Sequence, residues 1–114
     1  MMASKGEIWV VDLNPQKRRN EVGKVRPAMI VQSDVLNHEG AYPNIIVMPL
    51  TTVLIDKAEP LRLRITRRGN LKKDSDLLIG QIRAIDRSRL IEKVETPDVG
   101  EMRTVRRFLD EILD

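Results

Sequence analysis

Val25-Arg26-Pro27-Ala28-Met29-Ile30-Val31 is the stretch from which the rest of this 114-residue chain is read. It reads as an apolar strand entered through Arg-Pro. Proline fixes its own φ and pushes the preceding residue toward extended geometry. Arg26 is therefore expected at a strand mouth, with a defined backbone and a side chain that still reaches solvent. A guanidinium there can grip a phosphate with a planar, permanently charged fork. It can equally form an ordinary surface ion pair, and the stretch alone leaves both readings open.

Upstream, Gly6 to Leu13 (GEIWVVDL) reads as a strand with apolar residues on both faces, hence central in a sheet, and Asn14-Pro15 stops it. Residues 16–24 form a polar, basic loop. Downstream, the second strand is Pro27 to Ser33. Asp34 to Asn37 suits one helical turn with Asp34 as N-cap, and His38 to Asn44 is loop. Ile45 to Leu50 is a continuous apolar run, a third strand buried on both faces, closed by Thr51-Thr52. Leu61 to Ile65 alternates, with Leu61, Leu63 and Ile65 expected inward and Arg62 and Arg64 outward. A turn at residues 67–70 leads to a strand from Leu77 to Ile82. Arg83 to Arg89 is short and mixed, compatible with one helical turn, and Leu90 to Val94 is a last strand. Thr96-Pro97 supplies an N-cap and a first-position proline for a closing helix. Val99, Met102, Val105, Leu109 and Ile112 trace its apolar face. Strands joined by turns imply a mostly antiparallel sheet, and the length favours one domain over residues 1–114. The expected fold is mainly β: a small, partly closed barrel with the helix packed against it.

Only Trp9, Tyr42 and Phe108 are aromatic, so the core must be aliphatic. Trp9 lies between Ile8 and Val10 and reads as core more than as a base-stacking platform. There is no cysteine, which removes disulfides, thiolate catalysis and cysteine-ligated zinc. The start, Met1-Met2-Ala3-Ser4-Lys5, is short and polar for a signal peptide, and no apolar run approaches the roughly 18 residues of a membrane span. A cytoplasmic protein is expected. In residues 16–26 five cations face Glu21 alone, and in residues 57–73 seven cations face Glu59 alone, while residues 92–114 are net acidic. Two basic segments on one face would suit a polyanion, or they are solvated loops that never meet.

GEIWVVDLNP, an Asn-Glu and glycine before RPAMIV, VMPLTT, LKKDSDLLIGQIRAIDRSRL and a terminal helix, in that order, resemble the MazF/PemK family. These are toxins of type II toxin–antitoxin pairs and small sequence-selective endoribonucleases. The resemblance implies an SH3-like β-barrel with added helices, a homodimer, and a cognate antitoxin as partner, expected to be acidic and partly disordered. It implies cleavage of single-stranded RNA by attack of a ribose 2′-OH on its adjacent phosphate, leaving 2′,3′-cyclic phosphate and 5′-OH ends. No metal or other cofactor is expected, because the RNA supplies the nucleophile. By the same resemblance Arg26 matches the catalytic arginine, Thr51 the catalytic threonine, and Glu21 is the candidate base. Asn20, Lys17, Arg18, Lys24, Thr52, Gln81, Lys72 and Lys73 are the candidate RNA contacts.

Where many members carry Ser or His before the loop glutamate and Gln after it, this chain has Asn20 and Val22. Some members also have a polar residue before the strand-five glutamine, where this chain has Gly80. Asn20 can hydrogen-bond phosphate but cannot serve as a base. His38 is the only histidine, so a two-histidine mechanism is excluded within one subunit. Two other functions stay open on these residues. One is a non-catalytic SH3-like nucleic-acid-binding module. The other is a gyrase-poisoning toxin of the same fold, disfavoured because the chain ends Glu111-Ile112-Leu113-Asp114 without an aromatic.

Overall fold

The structure is a computed structural model that describes residues 2–13 and 25–114; the expected stop at Asn14-Pro15 and the basic loop at 16–24 lie outside the described residues. The elements run β1 (Ile8–Asp12), β2 (Val25–Ile30), α1 (Asp34–Asn37), β3 (Asn44–Thr51), β4 (Arg62–Ile65), β5 (Ser75–Leu78), β6 (Arg83–Asp86), β7 (Leu90–Glu95) and α2 (Val99–Leu113). All strand pairs are antiparallel, in the order β4-β5-β3-β2-β1-β7. β3 is long enough to hold two neighbours on its outer edge: Asn44 to Val47 pair with β6, and Leu50 and Thr51 pair with β5. Hydrogen bonds do not join β4 to β7 among the described residues, so the barrel is only partly closed.

The three central strands are apolar on both sides, and each side feeds a different core. Trp9, Val11, Ala28, Ile30, Ile45 and Val47 point into one cluster, which Ile85 and Leu90 complete. Ile8, Met29, Met48 and Leu50 point into the other, closed by Ile65, Leu77, Ile79, Val105 and Phe108. Period-two alternation thus makes β1, β2 and β3 a shared wall between two aliphatic cores. Trp9 is 4 % exposed, and its indole N–H donates to Glu7 Oε1 at 3.0 Å, so it is core. Glu7 also accepts the Ser4 backbone N–H (2.8 Å) and pairs with Lys93 (2.9 Å). At the entrance to β1, Gly6 has φ +89 and donates its N–H to Ile30 O at 2.7 Å. A Cβ there would stand 2.5 Å from Pro97 Cβ, so only glycine fits.

Several boundaries differ from the sequence reading. β2 ends at Ile30 rather than Ser33. Ser33 is the N-cap of α1, its Oγ accepting from Val35 N, and Asp34 is the first helical residue. The Asp34 carboxylate instead accepts the Lys5 N–H at 2.7 Å. The expected strand Leu77–Ile82 stops at Leu78 and turns through a 3₁₀ segment at Ile79–Gln81. Arg83–Asp86 is a strand, not a helical turn, and the turn follows at Arg87–Arg89. β6 buries only Ile85, so it shows no alternation that a sequence can register. Leu61 lies before β4 and is 57 % exposed, while Leu63 and Ile65 face the core as expected. The closing helix is capped by Asp98, whose Oδ1 accepts Glu101 N at 3.1 Å; Thr96 and Pro97 precede the cap. Aspartate caps as well as threonine, and here it stands one residue nearer the helix. Val99 is exposed, and Phe108 joins Met102, Val105, Leu109 and Ile112 against the second core.

Leu77 joins β5 to both neighbours and is fully buried. Leu77→Ala is expected to lower the free energy of unfolding by about 2–5 kcal/mol, measured by urea denaturation of folded protein.

Candidate active site

Arg26 pairs with Val11 across β1 and is partly buried. On its other side, β2 pairs with β3 through Ala28–Pro49, Met29–Met48 and Ile30–Val47. Each strand carries a proline at this end, Pro27 and Pro49, with no N–H to give to a ladder. The pairing stops at Ala28–Pro49. Continuing the same register by two residues sets Arg26 level with Thr51 on one face of the sheet. Among the described residues, the Arg26 guanidinium makes no ion pair or hydrogen bond. On that continued register a cation and a hydroxyl fall at the same level of the strand end.

Thr51 Oγ1 accepts the Val53 N–H at 3.2 Å. That bond satisfies backbone at the strand end, the ordinary use of such a threonine. It uses only a lone pair, so the hydroxyl hydrogen remains free to donate to a phosphoryl oxygen. Across the ladder from Thr51 stands Asp76 on β5, 1 % exposed. Its carboxylate takes Arg64 Nε at 2.6 Å, Ile55 N–H at 2.9 Å and Arg62 Nη1 at 3.1 Å. Burial alone would raise this carboxyl, but the hydrogen bonds from Arg64, Ile55 N–H and Arg62 outweigh it and hold it below the ordinary aspartate value.

Thr52, Lys72 and Lys73 line one concavity of about 580 Å³ together with Val10, Pro27 and Lys93. The structure thus gathers three of the candidate RNA contacts in one concavity, which Glu92 also lines and which Arg26 and Thr51 do not. Gln81 is not among them. It ends the 3₁₀ turn, is exposed, and makes no side-chain hydrogen bond among the described residues. Glu21, Asn20, Lys17, Arg18 and Lys24 lie outside the described residues. His38 sits beyond α1 within 3.2 Å of Ser4 Oγ. Two charged residues are not legible from the motifs. Lys93 reaches the concavity from β7, set opposite Trp9 by the register, and Asp76 is buried without any local pattern that marks it.

The second basic segment is much less basic than it reads. Arg62 and Arg64 are engaged by Asp76, Arg64 also by Asp56 (2.9 Å), and Arg68 by Glu101 of α2 (2.6 Å). Lys72 and Lys73 keep their charge for the concavity.

Against known proteins, residues 4–113 match the family described as PemK-like, MazF-like toxin of type II toxin–antitoxin system. The chain belongs to that family. An endoribonuclease MazF of Staphylococcus epidermidis is 34 % identical over 110 residues, covering 96 % of this chain and 89 % of that protein. The endoribonuclease MazF of Staphylococcus saprophyticus is 32 % identical over 111 residues, with the same coverage of 96 % and 89 %. The crystal structure of MazE-MazF (Form-II) from Deinococcus radiodurans superposes with a TM-score of 0.79 at 21 % identity, covering 99 % of this chain and 96 % of that one. The MazF fold expected from the motifs is therefore present. No helix among the described residues is long and apolar enough to cross a membrane.

The depressed Asp76 titration has a consequence for stability. Its folded value lies below the ordinary 3.8, so its contribution is full above that pH and is lost as pH falls through the folded value. Asp76→Asn is expected to lower Tm at neutral pH, and the gap to wild type should narrow in melts taken down to about pH 3.

Proposed function

We propose that this MazF-family toxin is an endoribonuclease that cuts single-stranded RNA by internal transesterification, with Arg26 and Thr51 at the scissile phosphate. The 2′-oxygen forms a bond to phosphorus and the P–O5′ bond breaks, leaving a 2′,3′-cyclic phosphate and a 5′-OH. One proton leaves the 2′-OH and one reaches the departing O5′. The observation that supports this reading is the β2–β3 register, which, continued two residues past Ala28–Pro49, brings Arg26 level with Thr51.

Charge grows on the non-bridging oxygens in the transition state, and a fixed cation there stabilises it. Arg26 supplies that cation; its high pKa suits it to electrostatic stabilisation more than to proton donation. Thr51 donates its hydroxyl hydrogen to a phosphoryl oxygen. Glu21 is the proposed base that takes the 2′-OH proton. Thr52, Lys72 and Lys73 hold neighbouring phosphates along the concavity, Asn20, Lys17, Arg18 and Lys24 extend the contact from the loop, and Gln81 meets RNA only beyond that concavity.

The family setting supplies the partners. A cognate antitoxin, acidic and partly disordered, would lay a segment over the same cations and compete with RNA in the cytoplasm. A second copy of the chain would cover a groove of about 370 Å³ between β3 and α2, lined by Ile46, Met48, Ile82, Met102, Leu109 and Leu113. Ile82 and Leu113 are exposed in the single chain.

Incubated with mixed-sequence single-stranded RNA in EDTA, the wild type is expected to give discrete fragments with 5′-OH ends. Arg26→Ala and Thr51→Ala should each lose about 100-fold or more in rate while retaining wild-type melting. Intact RNA from folded wild-type protein that still binds it would reverse the reading to a binding module. Light scattering on the purified chain should return a dimer mass. Leu113→Glu should shift it to monomer, since a buried unpaired charge opposes association.

A further inference from the structure

Asp76 has no role in the chemistry above, yet a carboxylate this buried needs dedicated partners. Those partners converge on one place. Ile55 N–H donates to Asp76 Oδ2. Arg62 Nη1 bridges Asp76 Oδ2 and Val53 O, the latter at 2.9 Å. Arg64 spans Asp76 Oδ1 through Nε and Asp56 Oδ1 through Nη2. Residues 53–56, immediately after the Thr51-Thr52 strand end, are thus clamped at three points to β4 and β5.

Apolar packing does not hold this segment. Val53, Leu54 and Ile55 are exposed by 68 %, 43 % and 51 %. Its conformation therefore depends on the polar clamp, with Asp76 at the centre. The same segment carries the Val53 N–H that bonds Thr51 Oγ1 and so restricts where the hydroxyl hydrogen can point.

We propose that Asp76 is a positioning residue: by anchoring residues 53–56 through Arg62, Arg64 and the Ile55 N–H, it keeps the Val53 N–H on Thr51 Oγ1 and aims the Thr51 hydroxyl at the scissile phosphate. The inference rests on the reading of Thr51 as a phosphate-contacting group. It differs from a purely structural ion pair, which would raise stability without touching turnover.

The test is a double-mutant cycle on an RNA oligonucleotide carrying a site mapped with the wild type. kcat and KM are measured for wild type, Asp76→Asn, Thr51→Ala and the double variant, each normalised to the folded fraction. Asp76→Asn should lower kcat roughly tenfold or more with KM within about twofold, and in the Thr51→Ala background it should cost less than about twofold. Amide exchange at Val53 and Ile55 should quicken in Asp76→Asn. If Asp76→Asn does not fold, Arg62→Lys takes its place in the cycle, because it leaves the Asp76–Arg64 pair and shortens the reach to Val53 O. A lowered Tm with unchanged kcat, or losses that multiply in the double variant, would overturn the inference. Thr51→Ala at wild-type turnover would overturn the catalytic reading of Thr51 and this inference with it. An inactive Thr51→Ala beside a fully active Asp76→Asn would overturn the inference alone.

Discussion

Everything in this molecule depends on the two-sided burial of β1, β2 and β3. A strand with one solvated face can slip by a residue and merely exchange a wet side for a dry one. Here a slip would drive Met29 and Met48 into the cluster built for Ala28, Ile30 and Val47, and the reverse. Two close-packed cores of different shape refuse that exchange. The register is therefore held along the strands, and it is the register that sets Arg26 level with Thr51 where the ladder ends. Side chains at the end of a rigid wall are placed by packing that lies well away from them.

Charge is distributed by the same folding. The arginines of β4 turn to Asp76, and Arg68 turns to Glu101 on α2. Each of these pairs joins segments far apart in sequence. Of the lysines lining the concavity, Lys93 pairs with Glu7, while Lys72 and Lys73 have no acidic partner among the described residues. The β4 arginine forks thus serve a fixed internal carboxylate, while Lys72 and Lys73 face the concavity.

The segment that follows Thr51 shows the contrast between the two kinds of order in this fold. The strands are held by apolar burial. Residues 53–56 bury little and are held by directional bonds to one buried carboxylate. Directional bonds fix orientation better than apolar contact does.

The sequence by itself determined the central strands, the aliphatic core, the closing helix and the residues that carry the family match, because apolar periodicity and ordered motifs are local properties of a chain. The positions of Arg26 and Thr51 at the edges of apolar runs were legible for the same reason, while their proposed roles come from the family resemblance. Tertiary structure alone decided what had no local signal. β6 buries one side chain and shows no alternation; Leu61 is turned outward; Asp98 displaces Thr96 as cap; Lys93 enters the concavity through cross-strand pairing with β1. Arg62 and Arg64 read as a solvated face because Asp76, which binds them, lies 14 and 12 residues away along the chain. Buried charge pairs and strand register depend on which distant segments fold side by side, and that is a property of the packed chain rather than of any stretch within it.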